Sequence, residues 1–202
     1  DPGKGINCGE NITTFPIGSS PNSSEVWFKA EQVNSRVISW GKEQRYGEVA
    51  FMLESPPRMK IASYWCNADV ECSNAVAMSQ WTHVVHTYAK DDSRVYMNGR
   101  LEGVSTAKGE PLNIESPARM YIGGWYDNYQ FAGDIDEVRI SKVTRSADWI
   151  RLEYENQKPL QTLVGPLVQP GSDFSASEKK ITVPEGKSAT VTAKAGGAQK
   201  VY

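Results

Sequence analysis

Between Gly123 and Gln130 the chain reads Gly-Gly-Trp-Tyr-Asp-Asn-Tyr-Gln, three aromatic side chains interleaved with an acid and two amides. Sugars are recognised by that mixture. The C–H-rich face of a sugar ring stacks on a flat apolar ring, while the hydroxyls need planar acceptors and donors. Trp125, Tyr126, Asp127, Asn128 and Tyr129 are therefore the candidate ligand-binding residues. The alternative for these aromatics, and for Trp125 first, is that the ring folds back to cap the core or a helix. Tyr64 and Trp65 form a second, smaller aromatic pair.

Other reactive residues are spaced against chemistry. His83 and His86 are the only histidines. On a strand their odd separation puts them on opposite faces, so they cannot share a metal or a catalytic triad. Cys66 and Cys72 enclose Asn-Ala-Asp-Val-Glu, a loop short enough to close across a hairpin tip. A disulfide is predicted there, and with it an oxidising compartment. The alternative is a pair of free thiols. Cys8 is left over and is expected to be a small core hydrophobe on the first strand.

The elements that must position these residues are strands. Turn residues recur along the chain, and apolar residues alternate with polar ones at Glu25 to Ala30, Arg36 to Trp40, Glu48 to Leu53, Lys60 to Trp65, Trp81 to Ala89 and Phe131 to Ser141. Val26, Phe28 and Ala30 share one face, as do Val95 and Met97. Asn98-Gly99 suits a tight hairpin, and the odd step from Ile135 to Val138 hints at a bulge. One helix is expected from Ser146 to Asn156, with Ser146 as its cap and Trp149, Leu152 and Tyr154 facing inward. After Lys158-Pro159 the texture becomes that of a linker over 160–172. Residues 173–202 then read as the N-terminal part of an immunoglobulin-like domain, alternating over 180–194 as two strands joined through a turn at Pro184-Glu185-Gly186.

Composition bounds the partners. The 202 residues carry 22 basic and 24 acidic side chains without blocks, which gives no basic stripe for nucleic acid. No apolar run is long enough for membrane insertion. At 39% hydrophobic and 10% aromatic residues the chain has enough to build a core. The start at Asp-Pro-Gly reads as a processed export product or a piece of something longer.

Trp81-Thr-His-Val-Val-His-Thr-Tyr followed by Arg94-Val-Tyr-Met-Asn-Gly resembles the central hairpin of laminin-G-like, concanavalin A-like domains. Met120-Tyr-Ile-Gly-Gly, Phe131-Ala-Gly-Asp-Ile-Asp-Glu-Val-Arg-Ile and Ser146-Ala-Asp-Trp-Ile are similar to the family's closing strands and final helix. The resemblance covers about Gly3 to Pro159, within a domain taken as residues 1–159. It implies an all-β jelly-roll sandwich of two antiparallel sheets with a short C-terminal helix. It also leans toward bacterial proteins of the exported multidomain type, hence a secreted, periplasmic or cell-surface place.

Relatives of this fold bind a structural calcium, and Asp136 is at the matching position. With carbonyls near Gly3 to Asn7 it would supply the hard oxygens calcium takes. The alternative is that Asp136 pairs with a strand neighbour or with Arg139. The glucanases of this fold carry a Glu-x-Asp-x-Glu or Glu-x-Asp-x-x-Glu strand with its acids on one face. No such string exists here. The expectation is a non-catalytic module that binds a glycan or glycoprotein beside neighbouring domains of the same polypeptide. A structural or adhesive protein-binding domain is the alternative, and a divergent glycoside hydrolase or lyase is a third reading.

Overall fold

Alternation of β-branched and aromatic residues with polar ones yields strands through almost the whole first unit of the chain. The computed structural model describes residues 5–62, 68–90, 92–106, 109–158, 174–176, 190 and 192–195. In chain order the strands are β1 (Ile6–Ile12), β2 (Asn22–Ala30), β3 (Ser35–Gly41), β4 (Glu48–Glu54), β5 (Arg58–Ala62), β6 (Val70–Ala75), β7 (Trp81–Ala89), β8 (Asp92–Met97), β9 (Arg100–Thr106), β10 (Ala118–Ile122) and β11 (Gly133–Ser141), followed by helix α1 (Ala147–Gln157). They build a six-stranded sheet in the order β1-β10-β3-β4-β5-β6 and a five-stranded sheet in the order β11-β2-β7-β8-β9. Every pairing is antiparallel. This is the expected sandwich. β6 was not expected, because Val-Glu-Cys-Ser-Asn-Ala lacks the apolar alternation of its neighbours; its ladder with β5 makes it a strand.

The core lies between the sheets. Val26, Phe28 and Ala30 from β2 and Val95 and Met97 from β8 all point into it, with Phe51, Leu53 and Ile61 from the opposite sheet. Each fully buried large apolar side chain contributes about 1.5–3 kcal/mol. Trp40 ties the layers together, its indole N–H donating to Ser24 Oγ at 2.9 Å. Asn98 and Gly99, at φ +51° and +74°, make the tight β8–β9 turn. The bulge in β11 falls between Asp136 and Arg139, with Glu137 at φ +52°. Gly133 permits the start of β11, since a Cβ there would stand 2.0 Å from the Lys29 carbonyl oxygen.

β2 and β3 are buried on both faces almost throughout, which requires a cover on the outer face of each sheet. On the five-stranded sheet the cover is α1, where Ile150 packs with Val85 and Tyr96. Tyr154 stacks on Trp27 at 5.7 Å, and Trp27 on His83 at 4.9 Å. Ser146 caps the helix as expected, accepting the Trp149 amide at 3.2 Å. Leu152 does not face inward; it is 60% exposed, because the buried side of the helix runs through Ile150 and Tyr154, four residues apart. On the six-stranded sheet the cover includes the 123–130 loop.

The cysteines depart from expectation. Cys72 is a free thiol buried in the core, where desolvation pushes it up to about 12, so the bridge to Cys66 is not seen. Cys66, Tyr64 and Trp65 themselves lie outside the described residues. Cys8 is exposed and not a core residue, because β1 is an edge strand whose side chains face solvent. Among the described residues no helix is long and apolar enough to cross a membrane.

The chain divides into two units, Asp1–Asn156 and Gln157–Tyr202. In the second, β12 (Phe174–Ala176) and β13 (Ala193–Ala195) pair antiparallel. The expected linker over 160–172 and the turn at Pro184-Glu185-Gly186 lie outside the described residues.

Candidate functional site

The 123–130 loop carries the chain from β10 in one sheet to β11 in the other. It is pinned to β3 by main-chain bonds, Gly123 N to Val37 O at 2.7 Å and Arg36 N to Tyr129 O at 2.9 Å. Trp125 and Asn128 exchange both main-chain bonds at 3.0 Å, closing a two-residue turn. Tyr126 and Tyr129 sit at φ +52° and +55°. Bulky side chains rarely occupy that region, and surrounding contacts must hold them there.

Those contacts come from the outer face of the six-stranded sheet. Arg36 lies between rings, its guanidinium 4.7 Å from the centroid of Tyr129 and 5.6 Å from that of Trp125. The same guanidinium donates to Glu48 on β4, a buried ion pair across the β3–β4 hairpin. Trp125 also meets Tyr121 edge-on at 5.3 Å and Tyr126 at 5.0 Å. Arg119, two residues before Tyr121 on the same face of β10, donates to the Tyr126 hydroxyl and lies 5.0 Å from its ring centroid. The Tyr121 hydroxyl donates to Glu10 on β1 at 3.2 Å.

The five sequence-predicted binding residues thus separate into two layers. Trp125 is 1% exposed and forms the floor, so it offers no face to a ligand; the folded-back alternative holds for it. Tyr129 is 49% exposed, with Arg36 beneath it. Tyr126 is half-buried, and Asp127 and Asn128 are exposed at the tip.

Electrostatics are set by burial. Desolvation pushes Glu48 up to about 7 despite the pull of Arg36, with Glu43 and Asp69 adding to the rise. Burial also raises the Tyr126 hydroxyl, against Arg119 and with Glu43 and Glu10. Arg36 Nε, Ser39 Oγ and Trp125 Nε1 are buried without a hydrogen-bond partner among the described residues.

Asp136 is not part of this group. It lies on β11, exposed, and its Oδ1 accepts the Glu137 amide at 2.8 Å. Arg139 does not pair with it but with Glu25, at 2.7 Å, and with Glu137 and Glu153. Asp134 faces Lys29 at 3.6 Å. Among the described residues no three His, Cys, Asp or Glu side chains gather to hold a metal. Side chains alone therefore do not fit the six to eight oxygens of calcium, and a site at Asp136 would depend on main-chain carbonyls of residues 3–7, of which 3 and 4 lie outside the described residues. The histidines do face opposite ways. His86 is buried in the sandwich, bonded to Ser93 Oγ at 2.9 Å, and His83 lies under α1.

Sequence reasoning missed Arg36, Glu48, Arg119, Tyr121 and Glu10. A usable signal existed for the first pair: a lone cation beginning the apolar run Val37-Ile38 and an acid opening the next strand.

No curated protein matches the chain. Solved structures do. Domain 4 of a GH43 extracellular arabinanase from Geobacillus stearothermophilus, in complex with arabinotriose, is 18% identical over 73% of this chain and 70% of that one, with a TM-score of 0.57. The CBM40 of the Ruminococcus gnavus IT-sialidase bound to α2,3-sialyllactose is 15% identical over 74% of this chain and 96% of that one, with a TM-score of 0.58. A SAP-like pentraxin from Limulus polyphemus is 14% identical over 73% and 77%, with a TM-score of 0.54. At such identities the likeness is one of fold. The laminin G-type family model matches residues 6–151, most of the chain, and with the two-sheet architecture it places the protein in the concanavalin A-like lectin/glucanases superfamily.

Proposed function

We propose that the first unit is a non-catalytic carbohydrate-binding module whose ligand stacks on Tyr129 and Tyr126 and hydrogen-bonds to Asp127 and Asn128. The observation that carries this reading is Tyr129. Its ring is half exposed, held in left-handed backbone and backed by a buried guanidinium. The 123–130 turn therefore fixes a flat apolar face before any ligand arrives, and such preorganisation spares the entropy of ordering it on binding. The ligand class is a neutral glycan. Arg36 is tied to Glu48 and Arg119 to Tyr126, while Glu10 and Glu43 add negative charge near Tyr126. The glycan-bound arabinanase and sialidase domains of the same fold support the module reading.

On a glycan array or in a polysaccharide pull-down, Tyr129→Ala is expected to lose at least tenfold in affinity with an unchanged melting temperature, since truncating a central aromatic anchor costs about 2 kcal/mol or more of binding. Wild-type binding retained by that variant would remove the platform. Silence of the parent on every glycan would favour the structural or adhesive alternative.

The hydrolase reading has one feature in its favour, the raised pKa of Glu48. That carboxyl is 1% exposed and bonded to Arg36, however, which leaves it out of reach of a glycosidic oxygen. Reducing-sugar release from a polysaccharide panel tests it.

The wider setting belongs to the same proposal: an exported, multidomain bacterial protein in which residues 173–202 begin an immunoglobulin-like domain, supported by the alternation over 180–194 and the β12–β13 pair. Calcium at Asp136 is tested by thermal melts. A calcium-dependent rise in Tm that Asp136→Ala abolishes supports the site, and no rise in the parent rejects it.

A further inference from the structure

A cavity of about 310 Å³ lies on the outer face of the five-stranded sheet, on the other side of the sandwich from Tyr129, between β7, β8 and the start of α1. Thr87, Asp92, Arg94, Tyr96, Arg145 and Ser146 line it. Its size is at the small end of ligand pockets.

The polar groups there are unevenly satisfied. Arg94 is occupied, its Nε and Nη2 donating to Asp92 Oδ2 at 2.9 and 2.6 Å. The other carboxylate oxygen, Asp92 Oδ1, and Arg145 Nε are buried behind the cavity wall, without a hydrogen-bond partner among the described residues. The Arg145 guanidinium rests 4.4 Å from the Trp149 ring centroid and forms no ion pair among the described residues. Thr87 is 2% exposed and places a hydroxyl in the lining. Ser146 Oγ accepts the Trp149 amide, which leaves its own O–H to donate. The Ala147 amide, also in the lining, precedes the first internal hydrogen bond of α1.

We propose that this cavity is a second binding site, one that takes the carboxylate of a sugar acid together with a neighbouring hydroxyl. Arg145, whose charge acts on Glu25 without a direct ion pair among the described residues, and the donors at the start of the helix suit a carboxylate. The Thr87 hydroxyl lines the same cavity and can accept a ring O–H. A bare inorganic anion answers the cation alone; a sugar acid brings an anion and an O–H on one rigid ring and answers both Arg145 and the Thr87 hydroxyl. A neutral sugar brings no charge to Arg145.

The test is a calorimetric titration of the full chain with D-glucuronate at neutral pH, with D-glucose and inorganic sulfate as comparison ligands. Glucuronate is expected to bind at least tenfold more tightly than either. Arg145→Gln is expected to weaken glucuronate roughly tenfold or more, the loss of one charge-assisted contact. Thr87→Val preserves the side-chain shape and is expected to weaken it severalfold. Tyr129→Ala, which disables the neutral-glycan platform, keeps glucuronate affinity at the parent value, so the two sites fail separately. The proposal is overturned if the parent does not bind glucuronate, if glucose or sulfate binds as tightly, or if both Arg145→Gln and Thr87→Val fold and bind as the parent does.

Discussion

Glu48→Gln is expected to lose stability on acidification from about pH 6.5 to about pH 5, at about 1.4 kcal/mol per pH unit, over a range where the parent stays nearly level. Four buried groups set this behaviour. Burial lowers His83 to about 4 and His86 to about 3 from an unfolded value of 6.5. Below pH 6.5 the unfolded chain therefore takes up two protons that the folded chain refuses, and their contribution to stability is lost as the pH falls. Burial raises Glu25 to about 6 and Glu48 to about 7 from 4.5. Between 4.5 and those values the folded chain keeps two protons that the unfolded chain has released, and stability is gained as the pH falls. In the parent the two effects offset each other.

Glutamine at position 48 stands in for the protonated acid and keeps an acceptor for Arg36, but removes one of the compensating protons. His86→Leu is expected to tilt the profile the other way, gaining stability on mild acidification. Urea unfolding at a series of pH values measures both. Profiles of parent and variants that run parallel would mean these groups titrate as they do in water.

Trp125→Ala is expected to cost about 3–5 kcal/mol of stability, the range for emptying a large buried aromatic site, and to abolish glycan binding as a consequence. The indole is the floor on which the loop rests, touching Tyr121, Tyr126 and Arg36 at once. Removing it exposes the Arg36–Glu48 pair to an ill-packed gap and releases the strained turn that displays Tyr129. Trp125→Phe, which still fills much of the site, is expected to recover most of both losses. Tyr129→Ala shows the opposite pattern, with binding lost and stability kept. Thermal melts beside a pull-down separate the two variants. A Trp125→Ala chain as stable as the parent would mean that the indole does not support the loop.

Much of the fold was legible because it depends on local pattern. Val26, Phe28 and Ala30 point inward as their spacing requires, Asn98-Gly99 makes its turn, and the odd step after Ile135 is a bulge. What was not legible depends on partners distant in sequence. Trp125 is buried because Arg36 and Tyr121 receive it, and nothing in residues 123–130 records that. Leu152 resembles a core residue until the sheet side of α1 is fixed by Ile150 and Tyr154. Cys8 resembles a core thiol until β1 proves to be an edge strand, and Cys72 is buried in the core although the loop length suggested a bridge. The aromatic loop itself was found from composition; the arginines that decide which of its rings can be used were not.

The most direct measurement is amide chemical-shift mapping of the isotope-labelled chain, titrated with the neutral glycan that binds best on the array. The perturbed amides are predicted to cluster at 125–130, Arg119 and Glu10, with residues around Arg145 unchanged. Shifts confined to the five-stranded sheet or to α1, with Tyr126 and Tyr129 silent, would contradict a ligand on the tyrosine face.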